Sequence, residues 1–144
     1  MQLDKLDWQI INLLSKKYLS NINAAKKLGV SEGTIRQRIK KMQAADILRI
    51  KALRDPDTLE NQQLATIAVN VKQADLLDEK AREISELDQV LSVSIVSGRY
   101  DLLIEVLVDS NRGLVVFLTE SLSAIKGISA TETFLTLKSY GRWI

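Results

Sequence analysis

The chain contains neither cysteine nor histidine. Disulfides and thiolate metal sites are thereby ruled out, and so are a histidine-based triad, an imidazole acid or base and a standard zinc centre. No metal and no cofactor is expected. A single proline and only six glycines are not the make-up of a collagenous or low-complexity chain. No apolar run reaches the roughly 18 to 20 residues needed to cross a bilayer, and residues 1–10 lack the basic start and apolar stretch of a signal peptide. A cytoplasmic protein is expected.

What is present is the composition of a folded protein: 46% apolar and 26% charged residues in 144. That length allows one medium domain or two small ones, and each small core would be marginal enough to favour burial against partner chains. The net charge of +2 hides a division along the chain. Residues 1–60 carry 12 Lys/Arg against 7 Asp/Glu, net +5, while residues 61–144 carry 8 against 11, net −3. Between Lys16 and Arg54 only Glu32 and Asp46 oppose 11 basic residues, which gives that stretch a field suited to polyanions.

Leu6, Ile10, Leu13 and Leu14 recur at helical spacing in a first helix, Leu3 to Ser15, that Asp4 caps. A second helix runs from an N-cap at Ser20 to Leu28, with Ile22, Ala25 and Leu28 inward, and Gly29 stops it. Ser31 caps a third helix whose buried stripe is Ile35, Ile39 and Met42. Gly33, Thr34, Arg36, Gln37, Lys40 and Lys41 project the other way, and Arg38 lies at the boundary, within reach of Asp7 or Asp46 as an ion-pair partner. Two short helices joined by Gly29-Val30-Ser31 and packed on a preceding helix are the sequence form of a helix-turn-helix. Ile47 to Leu53 reads as an extended segment, and Asp55-Pro56-Asp57 as a turn. The domain boundary is placed at about residue 60, giving domains 1–60 and 61–144.

Beyond it, three strand-like runs, Leu64 to Val71, Val90 to Ser97 and Asp101 to Val108, are rich in β-branched residues. A helical stretch, Ala74 to Glu86, separates the first two. Ser97-Gly98-Arg99-Tyr100 makes the second and third a hairpin. An amphipathic helix carrying Leu114, Phe117, Leu118, Leu122 and Ile125 ends at Gly127, and Ser129 to Lys138 alternates as a last strand. The order β-α-β-β-α-β predicts a ferredoxin-like sheet with both helices on one face, so the fold class is α+β: a winged-helix-like N-terminal domain and a ferredoxin-like C-terminal one.

Ile67, Val69, Val93, Ile95, Leu102, Ile104 and Val106 are expected under the helices. Thr66, Ala68, Asn70, Ser92, Ser94, Leu103 and Leu107 form a small, uncharged set on the opposite face, where water would favour Lys, Glu and Arg. That set predicts sheet-against-sheet packing in a homodimer, which would also pair two helix-turn-helices about a two-fold axis.

Specificity for DNA requires contact with base edges, and the exposed side of the third helix, about 18 Å long, fits a major groove about 12 Å wide. Ser31 and Gly33 permit close approach. Thr34 suits a thymine methyl or a phosphate, Gln37 has the donor and acceptor that adenine needs, and Arg36 suits guanine. Lys40 and Lys41 are placed on phosphates, and Arg38 completes the candidate set. Gly98 can take a positive φ, and its turn exposes amides able to receive a carboxylate, while Asp101 suits an α-amino group.

Over nearly its whole length the chain resembles the Lrp/AsnC family of feast/famine regulators. The resemblance rests on Leu3-Asp4-x-Leu6-Asp7-x-x-Ile10-Ile11-x-Leu13-Leu14, on Leu28-Gly29-Val30-Ser31 followed by Thr34-Ile35-x-x-Arg38-Ile39-Lys40, and on Asp55-Pro56-x-x-Leu59. Gly98-x-Tyr100-Asp101 and Thr131-Glu132-Thr133, ending in Leu137-Lys138, add to it. Trp8 stands where the family has a polar residue, Asp46 replaces a glycine, and Arg49-Ile50 replaces Gly-Tyr. The resemblance implies sequence-specific binding of double-stranded DNA by dimers that assemble further, often to octamers, under control of an amino acid or related metabolite. It places an effector pocket between dimers at Gly98, Tyr100 and Asp101, with Thr131 and Thr133 as neighbours, and implies no catalytic role.

Three other readings compete. An effector-independent architectural DNA-binding protein would share the same surface. Siroheme decarboxylase subunits resemble the same family but use histidines, which this chain lacks. RNA recognition motifs share the strand order but read bases with strand aromatics, absent from the central strands here.

Overall fold

The computed structural model describes residues 1–144 and divides into two compact units, Met1–Ala52 and Leu53–Ile144.

The first unit holds α1 (Lys5–Lys16), α2 (Asn21–Leu28) and α3 (Glu32–Ala44). Asp4 starts α1 through a reciprocal cap: its Oδ1 accepts from the Asp7 amide at 3.0 Å, and Asp7 Oδ2 accepts from the Asp4 amide at 3.1 Å. Ser20 and Ser31 cap α2 and α3 through their hydroxyls. Ile10 of α1, Ala24 and Ala25 of α2, and Ile35, Ile39 and Met42 of α3 make one buried cluster. Each of its larger side chains contributes about 1.5–3 kcal/mol by leaving water.

Ile22 does not join that core, being 58% exposed. The inward row of α2 is Asn21, Ala24, Ala25 and Leu28, so two small alanines let the helix approach its neighbours and turn Ile22 out.

The second and third helices end alike. Gly29 (φ 67°) follows α2 and Asp46 (φ 52°) follows α3, each left-handed, with the next amide returning to a carbonyl in the last turn: Val30 to Ala25 at 3.2 Å and Ile47 to Met42 at 2.9 Å. Asp46 thus takes a conformation that a glycine would adopt at lower cost. The segment after α3 belongs to no sheet, and the expected extended piece, Ile47 to Leu53, forms no strand.

The second unit holds β1 (Gln62–Val71), α4 (Leu77–Ser85), β2 (Val90–Ile95), β3 (Leu102–Asp109), α5 (Ser110–Val116) and β4 (Ile128–Leu135). The strands form one sheet in the order β2-β3-β1-β4, antiparallel throughout, the ferredoxin-like arrangement. A 3₁₀ turn, Ala74–Leu76, precedes α4, and a π-helical stretch, Phe117–Leu122, continues α5. The two expected helices are therefore shorter in regular α form than their apolar patterns.

Ala65, Ile67 and Val69 of β1 pair with Val106, Ile104 and Leu102 of β3 and share one core with Ile84, Leu114, Phe117, Leu122 and Ile125. Both helices accordingly cover the same face. Ile95 lies opposite Leu102 but at the end of an edge strand, and it stays 48% exposed instead of lying under a helix.

The opposite face is not uncharged. Thr66 and Ser92 both oppose Glu105, and Ala68 opposes Glu132, so strand alternation puts two carboxylates on the face expected to be uncharged. Arg142 meets Glu105 at 2.6 Å, and Arg54 and Ile144 exchange two backbone hydrogen bonds of 2.7 and 2.9 Å.

Candidate nucleic-acid interface and ligand site

The candidate DNA surface is assembled by a single helix. Burying Ile35, Ile39 and Met42 fixes the rotation of α3, so Gly33, Arg36, Gln37, Lys40 and Lys41 all fall on exposed positions. Arg36 pairs with Glu32 at 3.7 Å at the surface, a contact weak enough to be exchanged for a phosphate or a base. Ser31 and Thr34 are occupied locally: the Ser31 hydroxyl accepts from the Thr34 amide at 3.1 Å, and the two side-chain oxygens stand 2.8 Å apart. They hold the start of the helix while their outer surfaces remain accessible.

Arg38 behaves differently from the rest of the set. Its Nη1 donates to Asp4 Oδ2 at 2.5 Å and to both oxygens of Asp7, at 3.1 and 3.2 Å. Asp46, the other candidate partner, instead meets Arg49 at 3.7 Å. The Asp4 carboxyl is held below its ordinary value, first by the Asp7 backbone amide and then by the Arg38 guanidinium. Arg38 is correspondingly raised by Asp4 and Asp7.

Sequence reasoning missed a groove of about 730 Å³ in this unit. It has an apolar floor that includes Leu14, Ile39 and Leu48, and Tyr18, Gln43, Arg49 and Lys51 also line it. The apolar spacing in α1 and α3 carries no sign of it, because the loops shape it.

In the second unit the candidate ligand residues separate into two groups. Gly98, Tyr100 and Asp101 occupy the hairpin between β2 and β3, where Gly98 has φ 142° and Val96 donates to the Asp101 carbonyl at 3.0 Å. Asp101 Oδ2 accepts from the Val71 amide at 2.8 Å, tying the hairpin to the end of β1. Its other oxygen has no partner within the chain and is not sealed from water. Arg99 lies over the Tyr100 ring, 5.5 Å from its centre.

Thr131 and Thr133 stand on β4, at the other edge of the sheet. Val69 of β1 separates Thr131 from Leu102 in the register, so one chain does not bring the two groups together. Thr131 instead borders a hollow of about 360 Å³ with Leu118, Leu122, Ser123, Ile125 and Ile128. Among the residues of the chain no group of three acidic, histidine or cysteine side chains could hold a metal, and no helix is long and apolar enough to cross a membrane.

A polar, cation-bearing third helix followed along the chain by a ferredoxin-like domain recurs in known proteins. Residues 64–142 match the Lrp/AsnC ligand binding domain. The chain belongs to the Lrp/AsnC family of transcriptional regulators. Residues 3–49 of this Lrp/AsnC protein match a winged helix-turn-helix DNA-binding domain. An uncharacterised HTH-type transcriptional regulator of Pyrococcus furiosus is 37% identical over 143 residues, 98% of this chain and 95% of that one. The regulatory protein AsnC of Haemophilus influenzae is 26% identical over 139 residues, 95% and 93% of the two chains. Among solved structures, E. coli AsnC superposes with a TM-score of 0.68 at 27% identity over 96% and 95% of the two chains. The Lrp/AsnC protein is thus a DNA-binding transcriptional regulator with a ligand-binding domain.

Proposed function

We propose that this Lrp/AsnC regulator reads operator DNA through Arg36 and Gln37 on base edges, with Ser31, Gly33 and Thr34 allowing close approach and Lys40 and Lys41 neutralising phosphates. The observation that carries the reading is the division of α3, whose apolar residues are all buried while its cations and amide are exposed. Phosphate neutralisation releases counterions and supplies affinity, whereas base contacts supply preference.

The protein acts as a regulator and not as an enzyme, which agrees with the names of its relatives, and it works in the cytoplasm, where its DNA lies. It binds as a homodimer through the sheet face opposite the helices and assembles further. That face supports the reading by its small Thr66 and Ser92, by the exposed ring of Phe134 and by Glu105, whose charge is already met by Arg142.

The effector is an amino acid. Its ammonium meets the open oxygen of Asp101, whose partner oxygen is already fixed by the Val71 amide, and its carboxylate meets amides of the Gly98 turn beside Tyr100. Because Thr131 and Thr133 lie at the far edge of the sheet, they complete the pocket only when supplied by another copy. Ligand held between copies changes their association, and with it the number of operator half-sites held together.

Selection of duplexes from a random pool, followed by binding titrations over a range of salt, tests the DNA reading. Convergence on one motif with a steep salt dependence is expected, and a pool that never converges contradicts it. Sedimentation with each of the twenty amino acids tests the effector, and unchanged oligomer mass and DNA affinity with all of them removes it.

A further inference from the structure

We infer that Arg38 is a positioning residue for sequence reading, which sets the seat of the recognition helix α3 on α1 and does not itself contact DNA. The inference rests on the DNA-reading role proposed for α3. Three observations carry it. First, Arg38 Nη1 makes three contacts, all to the carboxylates of Asp4 and Asp7. Second, those carboxylates are not loose surface groups: each already caps the other's backbone amide at the start of α1, and Asp7 is only 1% exposed. Their positions are fixed by the fold of α1, so whatever they hold is fixed as well.

Third, Arg38 sits on α3 between Ile35 and Ile39 in sequence, flanking the buried stripe and adjoining Gln37. Apolar packing is non-directional and tolerates small rotations and slides of one helix on another. A guanidinium held by two fixed carboxylates is directional, and it resists those movements. Gln37 can make a paired hydrogen bond to a base edge only within a narrow range of positions. The clamp therefore acts on preference among sequences more than on attraction to phosphate.

Asp4→Asn gives a test in which the two accounts predict different outcomes for the ratio of specific to random binding. Asparagine remains a good N-cap, Asp4 is half exposed, and the change removes one negative charge from a domain that binds a polyanion. Electrostatics alone predicts tighter binding to every duplex, by a similar factor. The positioning role predicts that the ratio of affinities for the duplex selected by the wild-type protein and for a random duplex falls, by about three- to ten-fold. Arg38→Gln, which removes the guanidinium whose Nη1 makes all three contacts, is expected to lower the same ratio with the slope of log affinity on log salt unchanged.

Equal tightening on both duplexes by Asp4→Asn overturns the inference, as does a slope that flattens by about 0.9 in Arg38→Gln, the mark of a lost phosphate contact. Wild-type protein that selects no sequence at all overturns the DNA-reading function and this inference with it. Convergence of the wild-type pool with an unmoved ratio in both variants overturns the inference alone.

Discussion

The two units of this Lrp/AsnC regulator carry their candidate sites in different ways. In Met1–Ala52 every candidate DNA residue lies on or next to one helix, and burial of three residues on that helix decides which side chains face outward. In Leu53–Ile144 the candidate ligand residues occupy a hairpin at one edge of the sheet and a strand at the other. A helix face is set by local periodicity, so its site is complete within one short segment. A sheet places residues by pairing between distant segments, and here that pairing leaves the ligand residues apart within one chain.

The sharpest way to separate the units is through their cores. Phe117→Ala, at a side chain 1% exposed, should cost the ligand-binding unit about 3–5 kcal/mol. Calorimetry is expected to show its melting transition lowered while that of Met1–Ala52 stays in place. One transition shifting as a whole would abolish the distinction. Gln37→Ala should reduce discrimination between selected and random duplexes by about 1–3 kcal/mol at constant salt slope, whereas Lys40→Ala should weaken both and flatten the slope by about 0.9. Uniform loss in Gln37→Ala would make it a backbone contact.

A smaller effect sets one helix end against another within the first unit. Asp46→Gly should stabilise it by about 0.5–1 kcal/mol by relieving the left-handed aspartate, and Gly29→Ala should destabilise it by about 1 kcal/mol. Equal changes of one sign, measured by chemical denaturation, would show that the positive φ is not what matters.

The smallest effect should appear at opposite ends of the pH scale. Asp4 is lowered from 3.8, by the Asp7 amide and Arg38, so its contribution is complete above 3.8 and disappears as pH falls through the lowered folded value. Lys80 is raised from 10.5, by Glu83 at 2.8 Å and then Glu79, so its contribution is complete below 10.5 and disappears as pH rises through the raised value. Asp4→Asn should flatten the acid limb of melting for the first unit, and Lys80→Gln the alkaline limb for the second. A limb unchanged by its variant would assign that pH dependence to other groups.

Much of the fold was legible because both periodicities are strong: Ile35, Ile39 and Met42 named the inner side of α3, and Ile67, Val69, Leu102, Ile104 and Val106 named the core face of the sheet. The misreadings have specific causes. Ile22 outranked Ala24 on hydrophobicity, although close helix packing favours the small residue. Ile95 has the right parity but stands where an edge strand passes beyond helical cover. Glu105 lay in plain sight between Ile104 and Val106, and its partner Arg142 is 37 residues away in the chain.

By itself the sequence determined what local chemistry can determine: helix starts at Asp4, Ser20 and Ser31, a stop at Gly29, alternating strands, and a cation-rich outer face on α3. Only the tertiary structure decided which distant groups meet. It drew Arg38 back onto Asp4 and Asp7, gave one oxygen of Asp101 to the Val71 amide, and put Thr131 at the edge away from Gly98. The reason is physical: caps and amphipathic faces depend on residues three or four apart, whereas ion pairs and strand neighbours depend on the path of the chain between them.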